Sequence, residues 1–365
     1  MKIQENVPLA PLTTLQVGGA ARYFTELKRE DEVREAVQYA KTRDLPLFVL
    51  GGGSNLVVAD SGWPGLVLRI AIGGITSPNT KNATGNAVLF SVGAGVNWDD
   101  FVAQAVAQNC AGVECLSGIP GSVGGTPVQN VGAYGQEVAD TIESVRALDL
   151  KGERIVVLPK PACGFRYRAS IFNGSERGRY IILRVNYRLK RGGAPSLKYA
   201  DLQKHFADRS VEGSAEKRTP RSLAEVRQAV LEIRRNKGML IVPGDDDCRS
   251  AGSFFKNPVL SEAQFKDLAA RAASKGLDIP SYPAARSQDK DAQRKVSAAW
   301  LVEHAGFSKG YAMGAAGISR KHALALINRG DAHASDIVAL KDEIQRGVQE
   351  SWGILLEPEP VFVGF

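Results

Sequence analysis

The sequence predicts an α+β protein of more than one domain, on three observations. Strand-like runs rich in β-branched residues crowd the chain up to residue 190, and helical periodicity with capping signals takes over after residue 221. Between them, residues 191–221 are rich in Gly, Pro, Ser and charge, as expected of a boundary carrying a flexible loop. A chain of 365 residues also exceeds one ordinary core and points to two or three domains.

In chain order, EDEVREAVQYAKTR (30–43) puts Val33, Ala36, Val37 and Ala40 on one helical face. LPLFVL (45–50) reads as a buried strand, followed by GGGSN (51–55) and the apolar run LVVAD (56–60). GLVLRIAI (65–72) and AVLFSVGAGV (87–96) read as further strands, and Trp98–Asn109 carries helical spacing. SVRALDL (144–150), RIVVLP (154–159) and YIILRVNYRL (180–189) have strand composition. Between the last two, FRYRASIF (165–172) alternates arginine with aromatic residues, so on a strand Arg166 and Arg168 point the same way, toward an anion or toward solvent. Past the boundary, Ser222 with Glu225 and Ser261 with Gln264 form capping boxes, the first opening a helix that runs to about Lys237. Helices at about 297–307 and 335–351 make the second half mostly helical with few strands. The final ILLEPEPVFV (354–363) is extended, and Pro358 and Pro360 confine it to an edge or irregular strand.

Composition narrows the classes. A hydrophobic content of 44% with 23% charged residues describes a globular chain, and no apolar run approaches a membrane span. The start, MKIQENVPLAPLTTLQ, lacks the basic flank and apolar run of a signal peptide, so the expected location is the cytoplasm. Cys110, Cys115, Cys163 and Cys248 form no C-x-x-C pair, which indicates neither a metal site nor a redox dithiol and leaves them as apolar fillers. The net charge of +7 favours anionic partners. Short basic clusters stand at Lys217–Arg221 and Arg234–Lys237, but no basic tract is interleaved with aromatics, so a phosphorylated small molecule is preferred over nucleic acid.

The chain is organised around SGIPGSVGGTPVQNVGAYG (117–135), which packs six glycines and two prolines into nineteen residues. Glycine permits close backbone approach, and successive N–H groups in such turns make anion-binding concavities; a tight surface loop could share this composition. GGGSN between two strands is a second candidate cradle. Neither has the G-K-[ST] of a Walker loop, and GGGSN lacks the G-x-G-x-x-G that opens a Rossmann helix, so a dinucleotide bound here sits in a site of another type.

Other residues carry chemistry. In AGSFFKNP (251–258), small residues before Ser253 let a ligand approach it. With no G-x-S-x-G elbow and four histidines in all, a serine hydrolase is disfavoured, whereas a serine held by charged neighbours could donate a proton; a turn or cap serine is the plainer reading. Glu357 and Glu359 alternate and share a face, facing a basic group or solvent. His322 stands at the start of the apolar, helix-like run HALALIN, a usual place for a packing or capping residue.

TTLQVGGAARYF, LGGGSN, GAGVNW, IPGSVGGTPVQNVGAYG, YRASIF, AGSFFKNP, HALALIN and LEPE occur here in an order and spacing that resemble the UDP-N-acetylenolpyruvoylglucosamine reductase family over nearly the whole chain. The resemblance implies an FAD enzyme of bacterial peptidoglycan synthesis with a two-part FAD-binding region of the vanillyl-alcohol oxidase type and a C-terminal α/β substrate-binding domain. It implies FAD-binding subdomains at 1–75, joined by the C-terminal strand 353–365, and at 76–217, including the Tyr199 loop, with the substrate domain at 218–352. Gly51, Gly52, Gly53, Ser54 and Asn55 would hold non-covalent FAD. So would Gly118, Pro120, Gly121, Ser122, Gly124, Gly125, Thr126, Gln129, Asn130, Gly132, Ala133, Tyr134 and Gly135. Arg168, Ser253 and Glu359 match the catalytic positions, and Tyr199, Lys237, Asn257 and His322 match positions that touch substrate. The Tyr199 loop places the chain with the longer form of the enzyme, in which that loop folds over the substrate.

The implied reaction passes hydride from NADPH to FAD, and from the flavin to the enol-ether bond of UDP-N-acetylglucosamine enolpyruvate, in a ping-pong cycle run by a monomer. Arg168 would hold the substrate carboxylate, Ser253 would supply the proton and Glu359 would orient the enolic intermediate. Lys256 is the charged neighbour expected to assist Ser253, and Lys237 meets the diphosphate. Two departures stand out: Ala169 follows the YR pair where the family usually has an acid, and Pro360, Val361 and Phe362 follow LEPE where a valine and an arginine are common. Two other classes are weighed: a different FAD oxidoreductase of this fold, or a non-catalytic binder of flavin or a nucleotide sugar. The first often carries its flavin covalently on His or Cys, absent from both glycine loops; the second would be expected to lose Ser253, Arg168 or Glu359.

Overall fold

The β-branched runs of the first half become strands of two separate sheets. The computed structural model describes residues 1–77, 86–207, 222–283 and 293–365. One sheet has four strands in the order Gln4–Pro8, Ala20–Leu27, Trp63–Ile70, Leu47–Leu50. Its last pair runs parallel, Leu47 opposite Leu66. The other is antiparallel along the path Arg154–Pro159, Ile142–Asp149, Tyr180–Arg191, Ala87–Gly93, Ile75–Thr76.

These sheets belong to the first of two units, made of Met1–Val7, Ala21–Gly53 and Pro64–Ile241. Its helices are α1 (Glu30–Thr42), α2 (Trp98–Ala107), α3 (Ala200–Ala207) and α4 (Leu223–Asn236). Helix α1 buries Val33, Ala36 and Ala40, the stripe read from its periodicity. Helix α2 buries Trp98, Phe101, Val102 and Ala105. Trp98 and Phe101 pack with Phe90 and Tyr187 at centroid distances of 4.8–5.8 Å, an aromatic nucleus on the larger sheet, where Phe90 and Tyr187 face each other across neighbouring strands. A smaller cluster joins Cys115 and Tyr134 to Leu202 and Phe206 of α3 and Val226, Val230 and Ile233 of α4.

The second unit, Pro8–Ala20, Ser54–Trp63 and Val242–Phe365, holds α5 (Glu262–Ala273), α6 (Ala298–Glu303) and α7 (Ala334–Trp352). Its strands are short. Val259–Ser261, Gln293–Val296 and Ser281–Pro283 form one antiparallel sheet, and Ala312–Met313, Ala316–Ile318 and Leu326–Asn328 another. Val361–Val363 pairs in parallel with Leu56–Val58, so the two-proline segment becomes a strand only after Pro360.

Several expectations need correction. FRYRASIF is not a strand: Arg166 and Ala169 exchange backbone hydrogen bonds at 2.9 and 3.1 Å across a tight turn, and Arg168 has φ +52°. The turn is held by one long-range bond, Ser170 Oγ donating to Val128 O, and one local bond, Asn173 Nδ2 donating to Arg168 O. HALALIN is not helical, because Leu326–Asn328 pairs with Ala316–Ile318; a short buried apolar run does not distinguish strand from helix. Residues 200–207 are helix rather than loop, burying Leu202 and Phe206, while 208–221, including the basic cluster Lys217–Arg221, lie outside the described residues. The two compact units are a coarser division than the three parts expected, with α4 through Ile241 in the first unit and residues 8–20 and 54–63 in the second. All four cysteines are buried; burial alone pushes the Cys163 thiol up to about 11.

Candidate active site

The two glycine loops meet within the first unit. A Cβ on Gly52 would stand 2.5 Å from Gly121 Cα and 2.7 Å from Ser122 N, so only glycine allows this backbone-to-backbone contact. Ser122 Oγ lies 2.9 Å from where a Gly51 Cβ would be, and it is a buried hydroxyl with no hydrogen-bond partner among the described residues. A buried donor left unused beside close-packed glycine backbone is the arrangement a bound phosphate would complete. Gly124 fits against Ala94, while a Cβ on Gly125 would meet nothing within 4 Å. The residues present therefore suit the pyrophosphate of a dinucleotide.

The rest of the loop is fixed by side chains turned inward. Thr126 Oγ1 bonds Tyr187 Oη at 2.7 Å and donates to Val123 O at 2.8 Å. Asn130, with φ +47°, donates to Glu137 and to Arg166 O and accepts from Ala139 N, so its amide holds the loop's shape. At the loop's start, Asp99 Oδ1 accepts from Gly118 N at 2.6 Å and both Asp99 oxygens accept from Arg227 of α4. Burial works against the Asp99 carboxylate, but Arg227 and Gly118 N outweigh it and hold its pKa below the ordinary range. The buried Arg234 donates to Gly118 O and Met239 O, and desolvation draws its pKa down. Buried Glu114 accepts from Gly112 N, Gln136 Nε2 and Ser196 N, joining the loop to the segment that leads to Tyr199. Sequence reasoning missed Asp99, Glu114, Gln136, Arg227 and Arg234. No motif marks the role of any of them, and Asp99 and Arg234 stand beside further charged residues, Asp100 and Arg235.

Arg168 also belongs to this unit. Its guanidinium donates to Gly132 O at 2.8 Å and lies 5.4 Å from the Tyr167 ring centroid. A backbone carbonyl of the glycine loop thus orients Arg168 where the family pattern led one to expect an acid at Ala169. Tyr134 is buried and meets Tyr199 edge to face at 5.5 Å, and burial raises the Tyr134 phenol. Lys237, which caps α4, pairs with Asp201 of α3.

The second unit holds Ser54, Asn55, Ser253, Lys256, Asn257, His322 and Glu359. Phe254 and Phe255 are almost wholly buried, which leaves the half-buried Ser253 on a turn between Gly252 and the core. Gly252 has φ +76°, and a Cβ there would meet nothing within 4 Å, so its conformation rather than crowding calls for glycine. Phe254 N donates to Leu324 O at 2.7 Å and Phe254 O accepts from Glu359 N at 2.8 Å. One residue's backbone therefore binds Ser253, the His322 turn and Glu359 into one ladder. Asn55 Nδ2 donates to Glu359 O at 3.3 Å. His322 Nδ1 accepts from Leu324 N at 3.0 Å, which leaves the ring proton on Nε2. Asn257 Oδ1 caps α6 through Ala298 N. Lys256, expected to assist Ser253, instead donates to the exposed Glu357 at 2.5 Å. The adjacent glutamates thus separate in role, Glu357 pairing with lysine and the half-buried Glu359 joining the ladder.

Comparison with known proteins decides the family. The model described as FAD binding domain matches residues 21–158, and that described as UDP-N-acetylenolpyruvoylglucosamine reductase, C-terminal domain, matches residues 243–363. The UDP-N-acetylenolpyruvoylglucosamine reductase of Thermobifida fusca is 46% identical over 363 residues, covering 98% of this chain and 97% of the relative. The chain belongs to the UDP-N-acetylenolpyruvoylglucosamine reductase family. The reductase of that name from Mycolicibacterium gilvum is 43% identical over 366 residues, covering 99% of this chain and 96% of its own. The crystal structure of the reductase from Thermus caldophilus superposes with a TM-score of 0.64 at 26% identity, covering 100% of this chain and 99% of that one. This reductase is an FAD-dependent oxidoreductase with an FAD-binding domain and a C-terminal family domain.

Proposed function

We propose that this reductase uses NADPH to convert UDP-N-acetylglucosamine enolpyruvate into UDP-N-acetylmuramate in peptidoglycan synthesis, with Ser253 as proton donor and Arg168 and Glu359 stabilising the charge that develops. It acts in the cytoplasm as a monomer of the longer form of the enzyme, Tyr199 closing over the substrate. Within the chain's own geometry, the reading is supported most by the bond from Glu359 N to Phe254 O, which ties the serine and glutamate of two motifs a hundred residues apart to one backbone.

Gly51–Gly53 and Gly121–Ser122 would hold the FAD pyrophosphate, Ser122 Oγ supplying a donor without breaking a bond. Bound FAD would supply the two-electron chemistry by which hydride from NADPH ends on the terminal alkene carbon of the substrate. As that carbon–hydrogen bond forms, the π pair moves to the carbon beside the carboxylate. Arg168, already oriented by Gly132 O, stabilises the resulting enolate through a charge-assisted contact with the carboxylate. Ser253 gives its hydroxyl proton to the same carbon and recovers one from solvent, which balances the hydride. Glu359 orients the enolic intermediate. Lys256, committed to Glu357, braces the segment after the Ser253 turn rather than the hydroxyl. Lys237 and Tyr199 contact the nucleotide part, and Asn257 and His322 Nε2–H offer further donors.

Purified protein tests this directly. It is expected to carry yellow flavin absorbance that bleaches with NADPH and returns on anaerobic addition of the enolpyruvyl sugar nucleotide. A colourless protein, or a bleached one that this substrate leaves bleached, overturns the reading.

A further inference from the structure

We infer that Asp201 is a positioning residue, which ties the Tyr199 segment to Lys237 and so holds Tyr199 ready at the substrate-binding surface. The inference rests on the proposed contacts of Tyr199 and Lys237 with substrate and assigns a role to a residue outside the family motifs quoted above.

Ser196 N is bonded to Glu114, and Leu202 and Phe206 are buried against α4; three further contacts place the residues around Tyr199. Lys198 lies against Gly135, its Cβ 3.0 Å from the position of a Cβ there. Tyr199 meets the buried Tyr134 edge to face at 5.5 Å with rings 87° apart. Two residues on, Asp201 pairs with the Lys237 ammonium at the end of α4. The first two are soft contacts on loop surface, and Tyr199 itself is 43% exposed. Asp201 is the first residue after Tyr199 to make an ionic contact with another helix. Its leverage is on α3, whose N-terminal end carries Tyr199. Helix α4 is the natural anchor, since Arg227 and Arg234 also pin Asp99 and Gly118 at the start of the glycine loop. Partial burial disfavours the Lys237 ammonium, yet the Asp201 carboxylate more than offsets it and keeps its pKa above the ordinary lysine value. The ammonium has three N–H donors; Asp201 engages it without exhausting them, so a phosphate oxygen can join the same lysine.

The pair is half-exposed, at 38% and 40% side-chain exposure, so it should be screened by salt, and its loss should cost about three- to fivefold rather than abolish function. The test uses flavin-loaded enzyme and two readouts. In Asp201→Asn, amide hydrogen exchange across residues 196–207 is expected to quicken about threefold at low ionic strength, and wild type is expected to approach the variant as salt is raised. The KM for the enolpyruvyl sugar nucleotide is expected to rise three- to fivefold with kcat and the KM for NADPH unchanged, and Asp201→Glu should recover most of it. The effect should vanish in a Lys237→Met background. Unchanged exchange in Asp201→Asn overturns the tether. Quickened exchange with an unchanged substrate KM overturns the functional part of the inference, and if Lys237→Met also leaves that KM unchanged, the fault lies in the proposed contacts rather than in the tether.

Discussion

Two glycine–serine pairs, one in each unit, work in opposite ways. A Cβ on Gly52 would be driven to 2.5 Å from Gly121 Cα, and the neighbouring Ser122 hydroxyl is buried without a partner among the described residues. At Gly252 and Ser253 the glycine has φ +76° with open space where its Cβ would be, and the serine is half-buried on a turn held by buried phenylalanines. The first glycine is needed for what it touches and the second for the angle it adopts. Accordingly the first serine suits the holding of an anion, and the second suits a proton transfer that needs access.

That contrast can be broken by substitution, beginning with the largest effect. Gly52→Ala forces backbone apart, so FAD content after purification is expected to fall at least about tenfold, read from the flavin-to-protein absorbance ratio; full flavin loading would mean the loops need not touch. Phe254→Ala empties a fully buried site and should cost about 3–5 kcal/mol of stability by denaturant unfolding, because the core that presents Ser253 loses its anchor. A loss below 1 kcal/mol would detach Ser253 from that core. Ser122→Ala removes a hydroxyl with no partner among the described residues, so thermal stability without FAD should not fall while the FAD dissociation constant rises about three- to tenfold, equivalent to about 1 kcal/mol. The reverse pattern would make Ser122 structural. Gly252→Ala has room for its methyl and bears only the strain of positive φ, about 1 kcal/mol, with FAD content unchanged. Flavin loss in that variant would erase the distinction between the two glycines.

Much of this was legible in the residues. The glycine loops, the helices α1, α2 and α4, and the strands of the larger sheet follow from periodicity and turn chemistry, which act locally. Composition and resemblance point to Gly51–Gly53 and Ser122 as a phosphate cradle, and the structure adds that Gly51 and Gly52 lie against Gly121 and Ser122. What escaped was decided at a distance. Arg166–Ala169 alternates like a strand but turns, held by a long-range bond from Ser170 to Val128 and a local one from Asn173 to Arg168. HALALIN has a helix-compatible spacing but pairs with Ala316–Ile318. Asp99, Glu114 and Arg234 bond backbone atoms of the glycine loop or its flanks from elsewhere in the chain, and a bond between a side chain and a backbone atom leaves no trace in the sequence. Lys256 sits one turn from Ser253 in sequence, yet only three dimensions reveal that Glu357 claims it.

The central claim is that Ser253 supplies the proton and takes no part in loading the flavin with electrons. Stopped-flow absorbance on flavin-loaded Ser253→Ala separates the two half-reactions. The account predicts that NADPH bleaches the flavin at the wild-type rate, while reoxidation by the enolpyruvyl sugar nucleotide slows by about 10²–10⁴-fold, the range expected on losing a general acid. Reoxidation at the wild-type rate would contradict it.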